Sequence, residues 1–164
     1  MEKKLRKHQN LLVEAGAGVI LFAVWSVTRV NLFLALSDLS VNDVYDVADE
    51  LGLNGTFFLA FMIFVFASIL LCQLSIRLYI GLSATAEGKG RTKGWAYLVM
   101  AAVLLVTDAQ LNWEAFGVER ILAGEAITLH LLVGIFMELA SMYILLELLI
   151  SGICVKTLRK KMKE

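Results

Sequence analysis

Apolar residues run along this chain in four long blocks, at 11–37, 55–84, 95–116 and 124–155, parted by short polar segments. A helix rises ~1.5 Å per residue, and ~20 mostly apolar residues carry it across ~30 Å of hydrocarbon. Each block meets that length. The pattern predicts four membrane-spanning α-helices joined by three connections, which leaves no length for a separate soluble domain. The expected fold class is therefore an all-α membrane protein. It would be an antiparallel four-transmembrane-helix bundle forming one integral membrane domain over 1–164. The first block is too long for the core of a signal peptide, and no small-residue cleavage motif follows it, so it is read as a retained span.

The connection at 38–54 has a pattern of its own. Val41, Val44, Tyr45, Ala48 and Leu51 recur at helical spacing, while Asp43, Asp46, Asp49 and Glu50 take the other positions. That alternation predicts a short amphipathic helix lying on the membrane surface. Ser40 followed by Asp43 resembles a capping box, with Asp in place of the usual Glu or Gln. Gly52 is placed to end the helix in the left-handed conformation. In the third block, Trp95 and Trp113 are separated by about 27 Å of helix, which suits anchors at the two faces of the bilayer.

Composition sharpens this picture. The chain is 59% apolar, against about 45–50% for an ordinary soluble domain. It contains no proline, which favours straight helices over the unwound segments that many transporters use at their binding sites. Cys72 and Cys154 both fall inside spans and lack CxxC spacing, so neither a disulfide framework nor a zinc site is expected.

The formal net charge is zero, and only its distribution informs. Lys3, Lys4, Arg6 and Lys7 precede the first span. Lys89, Arg91 and Lys93 lie between the second and third. Lys156, Arg159, Lys160, Lys161 and Lys163 follow the fourth. In a four-span arrangement all of these share one side. The other side holds Arg120 among Asp38, Asp43, Asp46, Asp49, Glu50, Glu114, Glu119 and Glu125. Basic loops stay cytoplasmic. Both termini are therefore expected on the cytoplasmic side of a cell membrane (plasma or bacterial inner membrane), with the acidic loops and the surface helix outside.

Several ionisable residues fall within the spans, where a charge costs ~2.5–3.5 kcal/mol at the bilayer centre and usually faces a partner in the bundle. The helical period gathers Glu14, Gly18, Trp25 and Arg29 on one face of the first span. It gathers Phe66, Leu70, Gln73 and Arg77 on the second, Tyr97, Ala101, Asp108 and Asn112 on the third, and His130, Gly134, Glu138 and Ser141 on the fourth. Depth then sorts the charges into two candidate clusters. Arg29, Asp108, His130 and Glu138 form an outer one, either a structural ion pair or a path for protons or cations. Glu14, Arg77 and Glu147 form an inner one, near the basic side. A second stripe on the second span, Ser68, Cys72, Ser75 and Tyr79, is small and polar and suits close helix packing.

No catalytic constellation, metal-ligand spacing or cofactor motif is legible, so neither an enzyme nor a bound cofactor is expected. Nothing points to nucleic acid. The expected surroundings are the lipid bilayer and either another membrane protein or further copies of this chain. Three functional classes remain, the last of them an enzyme or sensor acting on a lipid or lipid-soluble ligand. The first is a non-catalytic accessory, assembly or regulatory membrane subunit. The alternative is a proton- or cation-coupled transporter or channel subunit that uses the intramembrane carboxylates.

Overall fold

The computed structural model describes the backbone of residues 2–36, 41–115 and 129–162, and the side chains of 2–28, 43–110 and 132–162. The described residues form five helices and no strand: α1 (Glu2–Leu36), α2 (Val41–Glu50), α3 (Gly55–Gly88), α4 (Ala96–Ala115) and α5 (Leu129–Lys161). Three of them contain segments long and apolar enough to cross a membrane, Glu2–Thr28, Gly55–Gly88 and Leu132–Lys161. These three candidate spans point to a membrane protein. α4 carries a shorter apolar stretch, Ala96–Gln110.

The helix ends follow from local chemistry. The Phe57 amide donates to the Asn54 side-chain oxygen at 3.2 Å, which caps the start of α3. Gly52 has φ +68° and Gly90 φ +94°. At each, paired backbone bonds close the preceding helix. Leu53 N donates to Ala48 O and Gly52 N to Asp49 O after α2. Arg91 N donates to Ala86 O and Gly90 N to Glu87 O after α3. This is the Schellman arrangement, which needs a left-handed residue just past the helix and so favours glycine there. The short helix between the first two blocks and its glycine stop are as the sequence predicts. Ser40, half of the expected capping box, lies outside the described residues, as does the segment 116–128 with its acidic positions.

By its contacts the chain groups into two compact units, 1–22 with 78–164, and 23–77. In the first, the buried apolar side chains come from four helices. They are Leu12, Ala15, Val19 and Phe22 of α1, Ile80 and Ala84 of α3, Tyr97, Leu98 and Ala101 of α4, and Leu145, Leu148 and Val155 of α5. α4 packs along α5. α1 and α3 run antiparallel in close contact. A Cβ on Gly16 would lie 2.8 Å from the Gly81 carbonyl oxygen, and one on Gly88 would lie 2.7 Å from that of Gln9. Small residues let backbones approach this way where both helices are otherwise apolar. The buried face of this part of α1 is therefore Leu12, Ala15, Gly16 and Val19, while Glu14, expected to face the interior, is exposed.

In the second unit, Ala48 of α2 is buried and the Tyr45 ring lies against Gly55 at the start of α3. Little else on α3 is covered here. None of its most apolar stretch is buried, and Phe57 and Phe64 are each 70% exposed. The stripe Ser68, Cys72, Ser75 and Tyr79, expected to pack, is exposed throughout. The close packing of α3 against α1 uses Gly81, Thr85 and Gly88 instead.

Candidate functional site

The Schellman cap at Gly90 carries α3 one turn past the apolar block, and that turn holds Glu87. Its side chain is buried, 2% exposed. A carboxylate here is doubly disfavoured. Burial of an ion costs several kcal/mol unless it is paired, and the C-terminal end of a helix carries partial negative charge. α5 supplies the offset through Lys156 and Arg159, one turn apart and so on the same face.

The Lys156 ammonium donates to Glu87 Oε1 at 3.1 Å, to the Lys93 carbonyl at 2.7 Å and to the Gly94 carbonyl at 3.2 Å. Its three protons are thereby engaged. It also stands 3.0 Å from Glu87 Oε2. That oxygen receives the charge without accepting a hydrogen bond from any described residue. Arg159 Nη2 donates to the Glu87 carbonyl at 2.9 Å, and Nη1 to the Arg91 carbonyl at 3.3 Å and to Glu87 Oε1 at 3.5 Å. Two aromatic rings complete the cage, with Lys156 Nζ 5.3 Å from the Trp95 centroid and 5.4 Å from that of Tyr97, inside cation–π range. The Tyr97 hydroxyl is buried near the Glu87 carboxylate without hydrogen-bond geometry to it. Gly152 leaves it room, since a Cβ there would stand 3.0 Å from the hydroxyl oxygen.

Comparison with protein-family models, with curated proteins and with solved structures returns no match. The functional reading therefore rests on the residues themselves. In this cluster every charge is engaged. Its chemistry is fastening, since Lys156 and Arg159 tie the end of α3, the 89–95 connection and the start of α4 to the last turns of α5. An open groove of about 300 Å³ runs beside it, lined by Glu87, Thr92, Lys93, Trp95, Lys156, Arg159 and Lys160.

The residues singled out by sequence fall elsewhere. Glu138 is 8% exposed on α5, with Ser141 buried one turn on, and Asp108 is half-buried on α4. All three engage other groups of the chain. Arg29 and His130 belong to α1 and α5 by backbone, and their side chains lie outside the described residues. Of the inner set, Arg77 is buried and engaged, Glu147 is half-buried and Glu14 is exposed.

Sequence reasoning passed over Glu87, because the apolar block stops at residue 84 and the acid reads as part of a loop. The signal was present in Gly90. A glycine placed to cap a helix extends that helix to its own position and turns a loop acid into a helical one.

Proposed function

We propose that this protein is a non-catalytic accessory subunit of another membrane protein, with four antiparallel spans and both termini on the cytoplasmic side of a cell membrane. The observation that supports this reading is the exposed face of α3. Phe57, Phe61, Phe64, Ser68, Cys72, Ser75 and Tyr79 fall within roughly 80° of one another around the helix at ~100° per residue, and all are exposed. An aromatic ridge thus passes into a groove of small side chains. The Ser68 and Ser75 hydroxyls donate back to the carbonyls of Phe64 and Leu71, at 2.8 and 2.7 Å, so they carry no unmet donor into an apolar contact. Lipid-facing surfaces have no need of small residues, whereas helix–helix contacts in membranes are enriched in them.

The basic residues at the ends of α1 and α5 and in the 89–94 connection set the orientation. α4, at 20 residues, supplies the fourth span.

A photo-reactive side chain placed at Ser68 in cells tests the reading directly. The expected product is an adduct with a different membrane protein, absent when the probe is moved to Leu82 outside the stripe. Adducts with lipid alone would overturn the proposal, and adducts with the same chain alone would replace it with a homo-oligomer.

A second reading, proton or cation transport, is favoured by Glu138, a carboxylate buried within a candidate span.

A further inference from the structure

Next to the Glu87 cluster, on another face of α3, lies a second groove of about 560 Å³ lined by Leu82, Thr85, Ala86, Lys89, Arg91 and Lys93. Its wall follows the helical period, since Leu82, Thr85, Ala86 and Lys89 are spaced i, i+3, i+4, i+7 and form one face of α3. Its far end is the connection after the Gly90 cap. The two halves differ in chemistry. Leu82, 60% exposed, and Ala86 make an apolar floor within the candidate span. Lys89, Arg91 and Lys93 put three cations at the other end, and no carboxylate is present among the described lining residues. None of the three cations makes an ion pair with a described residue.

Their placement is fixed by the neighbouring site. α5 takes the backbone carbonyls of Arg91, Lys93 and Gly94 through Arg159 and Lys156, and Gly90 holds the turn. The loop is thus tied down by its main chain while its cationic side chains line the groove. Trp95 follows immediately, 58% exposed, and tryptophan favours the headgroup level of a bilayer. The three cations therefore stand where phosphates lie, with an apolar track leading from them along α3.

We propose that this groove binds one anionic glycerophospholipid, with its phosphate among Lys89, Arg91 and Lys93 and an acyl chain along Leu82 and Ala86. A free phosphate ion shares the headgroup chemistry but has no use for the apolar track. A phospholipid uses both halves of the groove.

The test is native mass spectrometry of the full chain in detergent, titrated with phosphatidylglycerol, with phosphatidylcholine and with inorganic phosphate. Phosphatidylglycerol is expected to bind and phosphatidylcholine to bind far more weakly. A basic residue near an anionic surface contributes about fivefold in binding. Lys89→Gln, Arg91→Gln and Lys93→Gln are each expected to weaken phosphatidylglycerol by about that factor, and the triple variant by about 100-fold. Leu82→Asn is expected to weaken the lipid while leaving every cation in place. Equal binding of the two lipids would overturn the proposal, as would single variants indistinguishable from the parent. Inorganic phosphate that displaces the lipid, together with an inert Leu82→Asn, would make the site one for a free anion. The three cations are exposed, so the single variants keep the fold, and helical circular dichroism checks that they do.

Discussion

Lys156 on α5 reaches across to Glu87 on α3, its ammonium nitrogen 3.0 Å from one carboxylate oxygen and 3.1 Å from the other. The contact joins residues separated by 69 positions in sequence. Because the same ammonium also binds two loop carbonyls, this one side chain sets the geometry of the α3–α4 connection and anchors α5 to it.

Removing one member of a buried pair leaves the other charged and uncompensated. Lys156→Met would leave Glu87 with Arg159 alone, at 3.5 Å, and would also free two loop carbonyls. The expected loss is about 3 kcal/mol, the lower end of the range for a broken buried pair because Arg159 remains. Adding Glu87→Gln to that variant removes the stranded charge and should recover part of the loss. Thermal unfolding in detergent of the parent, the two single variants and the double variant checks this as a cycle. Strictly additive single effects would show that the contact carries no coupling.

The contact of α1 with α3 makes a different demand. A Cβ at Gly16 would stand 2.7 Å from Thr85 Oγ1 and 2.8 Å from the Gly81 carbonyl. The Thr85 hydroxyl could swing away, but the backbone carbonyl could not, so the helices must separate. Gly16→Ala and Gly81→Ala are each expected to destabilise by about 1–3 kcal/mol, the cost of overpacking. Gly134 is the control. Among the described residues nothing lies within 4 Å of a Cβ there, so Gly134→Ala should gain up to ~1 kcal/mol from helix propensity. Unfolding midpoints that rise equally for all three would show that helix propensity, rather than close approach, governs them.

These two contacts also mark how far the sequence could be read. Helix positions were legible where apolar blocks are long, as were the end of α2 at Gly52 and the burial of Tyr97, Ala101, Glu138 and Ser141 on the faces the period assigned them. The buried face of α1 was legible only in part, since Gly18 lies against Ile144 of α5 while Glu14 is exposed. Glu14, Gly18, Trp25 and Arg29 share a face by period, but in α1 the small residues decide. Gly16 permits an approach that Glu14 cannot, and the interior turns toward Leu12, Ala15 and Val19. A hydrophobic pattern separates water from apolar surroundings. It does not separate lipid from protein, since both are apolar, and so it cannot say whether a stripe that suits close helix packing, such as Ser68 and Cys72, is covered within the chain; the structure leaves it exposed.

Backbone conformation gives a prediction confined to the loop. Gly90 has φ +94° while Gly94, four residues on, has no positive φ, and neither has an atom of a described residue within 4 Å of a Cβ. Space is thus equal and only the dihedral differs. Gly90→Ala should cost about 1–2 kcal/mol, the strain of a left-handed L-residue, and should loosen the groove beside it. Gly94→Ala should be close to neutral. Hydrogen exchange at the amides of 89–91 checks the first effect, with faster exchange expected in Gly90→Ala and parental rates in Gly94→Ala.

Glu138 separates the two functional readings. Its carboxyl group is buried within a candidate span, one turn from buried Ser141, and it engages other groups of the chain. A carboxylate inside a membrane protein either fixes packing or carries an ion, and both demand a partner. A carrier must exchange its partner for the ion in each cycle, whereas a packing residue keeps it. If the protein is an accessory subunit, purified chain in liposomes should pass no protons or cations under an imposed gradient. Glu138→Gln should then change only stability or the yield of the Ser68 adduct. Flux present in the parent and abolished in Glu138→Gln, with both proteins equally helical, would make Glu138 a carrier and reverse the order of the two readings. The first outcome is the one expected under the accessory reading, because a docking surface such as the exposed stripe on α3 is something an accessory subunit needs and a self-contained carrier does not.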